Sequence, residues 1–463
     1  MVVLNLLVKP IWVLTEMEVQ DVVGHQAWGM YSAALSLGFI FLTLADLGIN
    51  YYATKSLAAD ATQLQREFPH LVGLKLILLL IYPPIMYGIG LIMGYEPVQL
   101  ELLFWLCFVQ GGAQLMDFFR ANFRALQRYG LDALLSVFER IVLLGLVIGL
   151  FLTTLTVERF VYARLAAVGI SILFFYGLLS YLYGWLRPRF NPKTARQLVR
   201  MSLPFAAMTV LYSIHDKVDQ VMLERMAGDV PTGLYAAAYR WLDAFSMYLW
   251  IVLPMFFARF AHFPGEFDKQ GKLLKLGQMI TGVPLTFVAA FGWFHGERLF
   301  FMYDQSTSAE ELAIMVAALQ GLFAALFING NLAVFSTLLT STGHERFVNR
   351  LIGASIVLNV LLNLLLIPSL GALACSWSTV ASFALSGAGY LAYIQQKLQV
   401  PIPWKALGRQ LLSFAVLLGA FWGLSQTDLS WWLQTVIAGF VYLATLLLFG
   451  WWRDLDLKVF KLS

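Results

Sequence analysis

Charge is the scarcest thing in this sequence. Only 13% of its 463 residues are Asp, Glu, Lys or Arg, against 60% hydrophobic, and the mean hydropathy is +0.73. A soluble domain carries about 25% charge. No soluble fold hides this much apolar surface, so the composition predicts an integral membrane protein. Cysteine is nearly absent. Cys107 and Cys375 both sit in apolar runs, which argues against a disulfide framework or a thiolate metal site. Catalytic signatures are missing as well: there is no Gly-rich phosphate loop, no His-Glu-x-x-His and no paired metal-ligand cysteines. Asp454-Leu-Asp456 has the D-x-D form that some glycosyltransferases use to hold a metal, but it stands alone in a short tail and reads as solvated. The expectation is therefore no enzyme and no resident cofactor. A net charge of only +4 gives no reason to expect a nucleic-acid partner. The N-terminus lacks a basic n-region and a small-residue cleavage site, so its first apolar stretch reads as a span and not a signal peptide.

What the chain does have is hydrophobic length. A helix needs about 20 apolar residues to cross a hydrocarbon core about 30 Å thick. Fourteen stretches qualify, near 1–20, 26–48, 71–95, 99–117, 133–155, 160–186, 199–224, 232–258, 274–303, 311–339, 347–368, 371–394, 407–425 and 430–452. The predicted fold is thus an all-α integral membrane protein of about 14 transmembrane helices, with short loops and no extramembrane domain. Basic residues orient it. One set of loops and the tail hold 23 Lys and Arg, among them Lys75 and the cluster Arg187, Arg189, Lys193, Arg196 and Arg200. The opposite loops hold three: Arg159, Arg164 and Arg225. This asymmetry predicts that both termini are cytoplasmic.

The chain also repeats itself. Gly29-Met-Tyr-Ser-Ala-Ala34 opens the second span and Gly233-Leu-Tyr-Ala-Ala-Ala238 opens the eighth, 204 residues later. Six spans separate them. An even number keeps the orientation, so the halves are related by an axis along the membrane normal. The expected organisation is a six-helix lobe at 1–186, a basic linker at 187–198, a second six-helix lobe at 199–394, and two extra helices with a tail at 395–463.

Charge at membrane depth is costly and usually faces a cavity or a partner. The densest such stretch holds His215, Asp216, Lys217, Asp219, Arg240 and Asp243. At about 1.5 Å rise per residue, Arg240 lies roughly 10 Å inside Gly233 and Lys217 roughly 12 Å inside Arg225. Asp216 and Asp243 come close to the midplane. In the first half, Lys9 and Arg140 lie at similar intermediate depths, roughly 10–12 Å. Lys9, Arg140, Lys217 and Arg240 are therefore the candidate substrate-binding cations, suited to phosphate. His215, Asp216, Asp219 and Asp243 are the candidates for coupling to a proton or sodium ion. The plainer alternative is mutual neutralisation, with Asp216 on Arg240 or Lys217 on Asp243, or lysines that snorkel to the interface. Asp46, before Gly48 at a helix end, reads as closing that helix or pairing with a cytoplasmic base.

The basic loop, the span opening at Ser202-Leu-Pro204, Asp219 late within it, and Gly233-Leu-Tyr-Ala-Ala-Ala-Tyr-Arg240 resemble the seventh and eighth helices of O-antigen-type polysaccharide flippases. Asp46-Leu-Gly48 and Asn359-Val-Leu-Leu-Asn363-Leu-Leu-Leu-Ile-Pro368 are similar to the same family, within the multidrug/oligosaccharidyl-lipid/polysaccharide exporter superfamily. The resemblance covers about 1–394. It implies two six-helix lobes around a central cavity, alternating access, and transport of an undecaprenyl-pyrophosphate-linked sugar across a bacterial inner membrane. It also implies neighbours in the pathway: glycosyltransferases and a polysaccharide polymerase. The short, proline-bearing first span and its Lys9, where an arginine is common, depart from the pattern. A cation-coupled drug exporter and a peptidoglycan-precursor flippase stay open as alternatives within the superfamily, and a multispan polymerase outside it. The four cations at depth tilt toward an anionic substrate.

Overall fold

The computed structural model describes residues 2–50, 53, 63–184, 187–303, 305 and 307–451, with the side chains of 2–9, 63–66, 125, 129, 194, 197 and 201–209 outside that description. Among the described residues every regular element is a helix. In chain order they are α1 (Val2–Phe41), α2 (Thr43–Asp46), α3 (Gln63–Ile92), α4 (Pro97–Ala125), α5 (Tyr129–Phe151), α6 (Val157–Tyr183), α7 (Pro192–Ala227) and α8 (Asp229–His262). There follow α9 (Phe267–His295), a 3-10 turn at Gly296–Phe300, α10 (Ala309–Ser341), α11 (Glu345–Leu370), α12 (Ala372–Lys397), α13 (Trp404–Ser425) and α14 (Trp431–Leu448). This is the expected all-helical, multi-pass architecture. In lipid, a helix satisfies all its backbone groups internally, which is why the composition leads here.

α1 is two segments. Gly24 leaves helical geometry at φ 83°, ψ 160°, a conformation open mainly to glycine, and the axis bends there. The bend divides the first two predicted spans. With it, the thirteen long helices give fourteen segments. Ten of these helices are long and apolar enough to cross a membrane on composition alone. Judged on the described residues alone, α1, α7 and α12 are not among them. α7 is the helix that carries His215, Asp216, Lys217 and Asp219.

By packing, the chain forms two compact units. One is residues 1–233 with 302–306; the other is 234–301 with 307–463. The division falls at 233 because α7 lies along α1: Ser36 Oγ donates to Gln220 Oε1 at 2.6 Å, and Lys217 sits 5.9 Å from the Phe39 ring. The first unit's core joins α3, α4 and α6 through Phe68, Phe118, Phe119, Val168 and Phe175. In the second unit one core joins α8–α12 around Phe256, Leu273, Phe335 and Ile352, and another joins α9, α13 and α14 around Met279, Phe421 and Tyr442.

Within the first unit, α1 crosses the start of α8 with no room to spare. A β carbon on Gly29 would overlap the Asp229 carbonyl oxygen, and one on Gly233 would overlap that of His25. Residues 25 and 229, like 29 and 233, are 204 apart. The contact is thus reciprocal, as a two-fold relation between repeats requires.

Candidate cationic site of the first unit

α5 is anchored by its first turn. Asp132 is fully buried and accepts from Arg120 Nε at 2.9 Å and Arg124 Nη1 at 3.2 Å. Two turns on, the same helix presents Glu139 and Arg140. The charges that act on Arg140 are Glu139, Glu16 of α1, Arg164 of α6 and Arg120. Glu16 and Glu139 also face Arg164. Three helices therefore bring two arginines and two glutamates into one electrostatic neighbourhood.

Arg164 is the better defined of the two cations. Its Nη1 donates to the Tyr31 hydroxyl, and its guanidinium stands 6.0 Å from the rings of both Trp12 and Tyr31. Those rings are held by others: Trp28 stacks obliquely on Tyr31 at 4.6 Å, and Phe160 meets Tyr31 edge-on at 5.7 Å. The Arg164 Nε is buried without an acceptor. A buried donor left unpaired costs roughly 1–3 kcal/mol, which an incoming anion would relieve. Guanidinium suits a phosphate through its planar fork. The two glutamates offset the arginines' charge when no anion is present.

The predicted residues are placed as follows. Arg140 belongs to this cluster. The side chain of Lys9 lies outside the described residues, as does Asp454-Leu-Asp456. Lys217 is paired with its neighbour Asp216 at 3.2 Å. Asp219 is buried and His215 half-buried on the same helix. Arg240 is buried and Asp243 half-buried on α8, in the second unit. The His215–Asp243 stretch is thus shared between the two units.

Two bases counted with loops are interior. Arg164 lies seven residues into α6, roughly 10 Å deep. Lys75 is 2% exposed on α3, with Nζ 2.5 Å from Asp46 Oδ1 and 5.5 Å from the Phe118 ring. Asp46 also accepts from the Asn50 backbone at 3.3 Å, and the Asn50 amide reaches Gln114 Oε1 at 3.0 Å. Asp46 thus finds its base as expected, but inside the bundle. Removing both from the loop tally leaves 22 against two, so the asymmetry does not rest on them. Cys107 and Cys375 are both buried and outside any disulfide among the described residues, as core residues should be.

A match covering residues 1–258 is to the family described as "Polysaccharide biosynthesis protein". The chain belongs to that family. Its fold is that of the superfamily's flippases and transporters. It superposes on a lipid II flippase, MurJ, in an inward closed conformation, with a TM-score of 0.77 at 14% identity, over 98% of this chain and 100% of that one. An inward-facing multidrug resistance transporter of the MATE family gives 0.66 at 15% identity, over 83% and 93%. An outward-facing MATE transporter gives 0.55 at 15% identity, over 86% and 94%. No curated protein sequence matches the chain significantly. A member of this family with these spans is a multi-pass membrane protein.

Proposed function

We propose that the protein flips a polyprenyl-pyrophosphate-linked oligosaccharide from the inner to the outer leaflet of a bacterial inner membrane, supplying O-antigen, capsule or exopolysaccharide synthesis. Membership of a polysaccharide biosynthesis family supports the substrate class. The observation that carries the reading is Arg164: a half-buried guanidinium whose Nε–H is buried and unspent, beside Arg140 and near two aromatic rings. In a low-dielectric interior, such donors meet a pyrophosphate strongly. Lys9, Lys217 and Arg240 are proposed as further phosphate contacts during alternating access. His215, Asp216, Asp219 and Asp243 are proposed to couple transport to a proton or sodium gradient. Glycosyltransferases and a polymerase of the same pathway are the proposed partners, with both termini cytoplasmic.

A peptidoglycan-precursor flippase is the second reading. Full-length superposition on a lipid II flippase, α13 and α14 included, favours it, and its cargo carries the same lipid-diphosphate chemistry.

The test is single Arg140→Ala and Arg164→Ala variants in a strain lacking the native gene, at matched protein levels. Surface polysaccharide should fall at least tenfold for Arg164→Ala, with lipid-linked oligosaccharide accumulating inside. Normal output from both variants sinks the assignment. Unchanged polysaccharide in the deletion strain, with peptidoglycan precursors accumulating, favours the second reading.

A further inference from the structure

The turn between α7 and α8 carries a separate group of side chains that the cationic site does not use. Glu224 and Arg225 end α7, Asp229 begins α8, and Tyr95 and Glu96 precede α4, whose first turn holds Gln99. All belong to the first unit. Gln99 is locked in orientation. Its Oε1 accepts the Glu96 backbone N–H at 3.3 Å, in a capping box that starts α4. Its Nε2 therefore turns both hydrogens outward, one to Glu224 Oε1 at 2.9 Å and one to Asp229 Oδ1 at 3.3 Å. Two carboxylates share one amide.

Among the described residues, the cation that serves them is Arg225. Arg225 donates Nε to Glu224 Oε2 at 2.6 Å and Nη2 to Glu224 Oε1, and its Nη1 reaches the Met93 carbonyl at 3.0 Å. Its guanidinium lies 4.4 Å over the Tyr95 ring. Glu224, 4% exposed, is thus bound in a two-pronged pair by Arg225. Asp229 has no such partner in the cluster: beyond the shared Gln99 hydrogen, the charges that face it are Glu224, Arg225 and Glu96. The Tyr95 hydroxyl is buried, faces Glu224, Arg225 and Asp229, and has no hydrogen-bond partner. Three carboxylates meet one arginine, with an unspent hydroxyl among them. The described residues hold no group of His, Cys, Asp and Glu arranged for a metal ion.

We infer that this junction is a proton-binding site, in which Asp229 takes up a proton beside the Arg225-paired Glu224 and the Tyr95 hydroxyl. The proton has a structural lever. The carbonyl oxygen of Asp229 is the atom against which Gly29 packs, so a change of charge at Asp229 acts where α1 crosses α8. A role in coupling rests on the transport reading above; proton binding itself does not.

Infrared difference spectra of the purified full chain, recorded as pH is raised, test the site directly. Wild type should lose one protonated-carboxyl band, and Asp229→Asn should abolish that loss. Glu224→Gln removes a like charge and releases Arg225, so the midpoint should fall by about one pH unit or more. Either variant decides the matter if the other does not fold. A band that titrates unchanged in Asp229→Asn, or unshifted in Glu224→Gln, overturns the inference. In vesicles with the pH of each side varied separately, Asp229→Asn should flatten the pH dependence of transport to within about twofold, on the scale of a removed ionisation. Infrared titration with no transport at all sinks the flippase reading and leaves the proton site standing.

Discussion

The two units have the same all-helical construction but hold their interiors together differently. In the first, neutral contacts such as Ser36 on Gln220 stand beside charged ones: Lys75 on Asp46, Arg120 and Arg124 on Asp132, Arg164 on Tyr31 among Glu16 and Glu139. In the second, amides and hydroxyls prevail. Asn363 donates to Asn359 at 3.1 Å, Ser378 donates to Asn363 at 2.6 Å, and Ser355 and Ser386 meet at 2.6 Å, tying α11 to α12. Gln410 of α13 reaches Thr286 at 2.5 Å and Tyr442 at 3.1 Å, tying α9 to α13 and α14. Arg240, Asp243 and Arg259 add charge to the second unit on α8. Neutral ladders hold helices together at little desolvation cost. Buried charge costs far more, and earns its place where an ion or a charged ligand is handled. Under the proposed function, this difference places most of the proposed ligand contacts in the first unit, with Arg240 and Asp243 as the second unit's share.

The sharpest way to break that comparison is at Lys75. Its side chain is 1% exposed and that of Asp46 15%. Lys75→Ala leaves the carboxylate inside without its base. A buried pair broken on one side costs about 3–5 kcal/mol, whereas replacing both partners by apolar residues is often neutral. Denaturation in detergent should show that loss for Lys75→Ala and most of it regained in Lys75→Leu with Asp46→Leu. A cost under about 1 kcal/mol, the level of an exposed pair, would mean that charge matters no more in this unit than amides do in the other.

The fold was legible because a membrane leaves few choices. Fourteen apolar stretches of the right length became helices, and Gly24 marks the break that separates the first two. The candidate site was legible only in part. Arg140 was found from its depth. Arg164 was missed because its depth depends on where α6 begins, and the predicted start at 160 left it four residues in. With α6 starting at Val157 and running on to Tyr183, it becomes an interior residue. Lys75 was missed for a similar reason: the helix starts at Gln63, not 71, which moves Lys75 roughly 18 Å from its end. The pairing of Gln99 with Glu224 and Asp229 joins residues 125 and 130 positions apart, and no local pattern announces it.

A smaller effect is expected at the α1–α8 crossing. Gly29→Ala and Gly233→Ala each force a methyl group into a backbone carbonyl, so the helices must move apart. Overpacking of this kind costs about 1–3 kcal/mol. Once either substitution has separated the helices, the second meets less resistance. The double variant should therefore cost less than the sum of the singles, by more than the few tenths of a kcal/mol seen for independent sites. Strict additivity would show that the two contacts are not one reciprocal crossing.

The smallest effect should come from the neutral ladder. Asn363→Leu removes the donor to Asn359 and the acceptor of Ser378, yet both partners keep other contacts: Asn359 reaches Ser378 at 3.3 Å, and Ser378 donates to the Cys375 carbonyl at 2.9 Å. Hydrogen bonds between membrane helices average about 0.6 kcal/mol and rarely exceed about 1.7. Asn363→Leu should therefore cost about 1 kcal/mol in the same denaturation assay, well under Lys75→Ala, and leave transport within about threefold of wild type, the rate factor that a change near 0.6 kcal/mol corresponds to. A loss of transport out of proportion to stability would place ligand chemistry in the second unit as well. The charged and neutral interiors would then be two halves of one mechanism, with scaffolding left to neither alone.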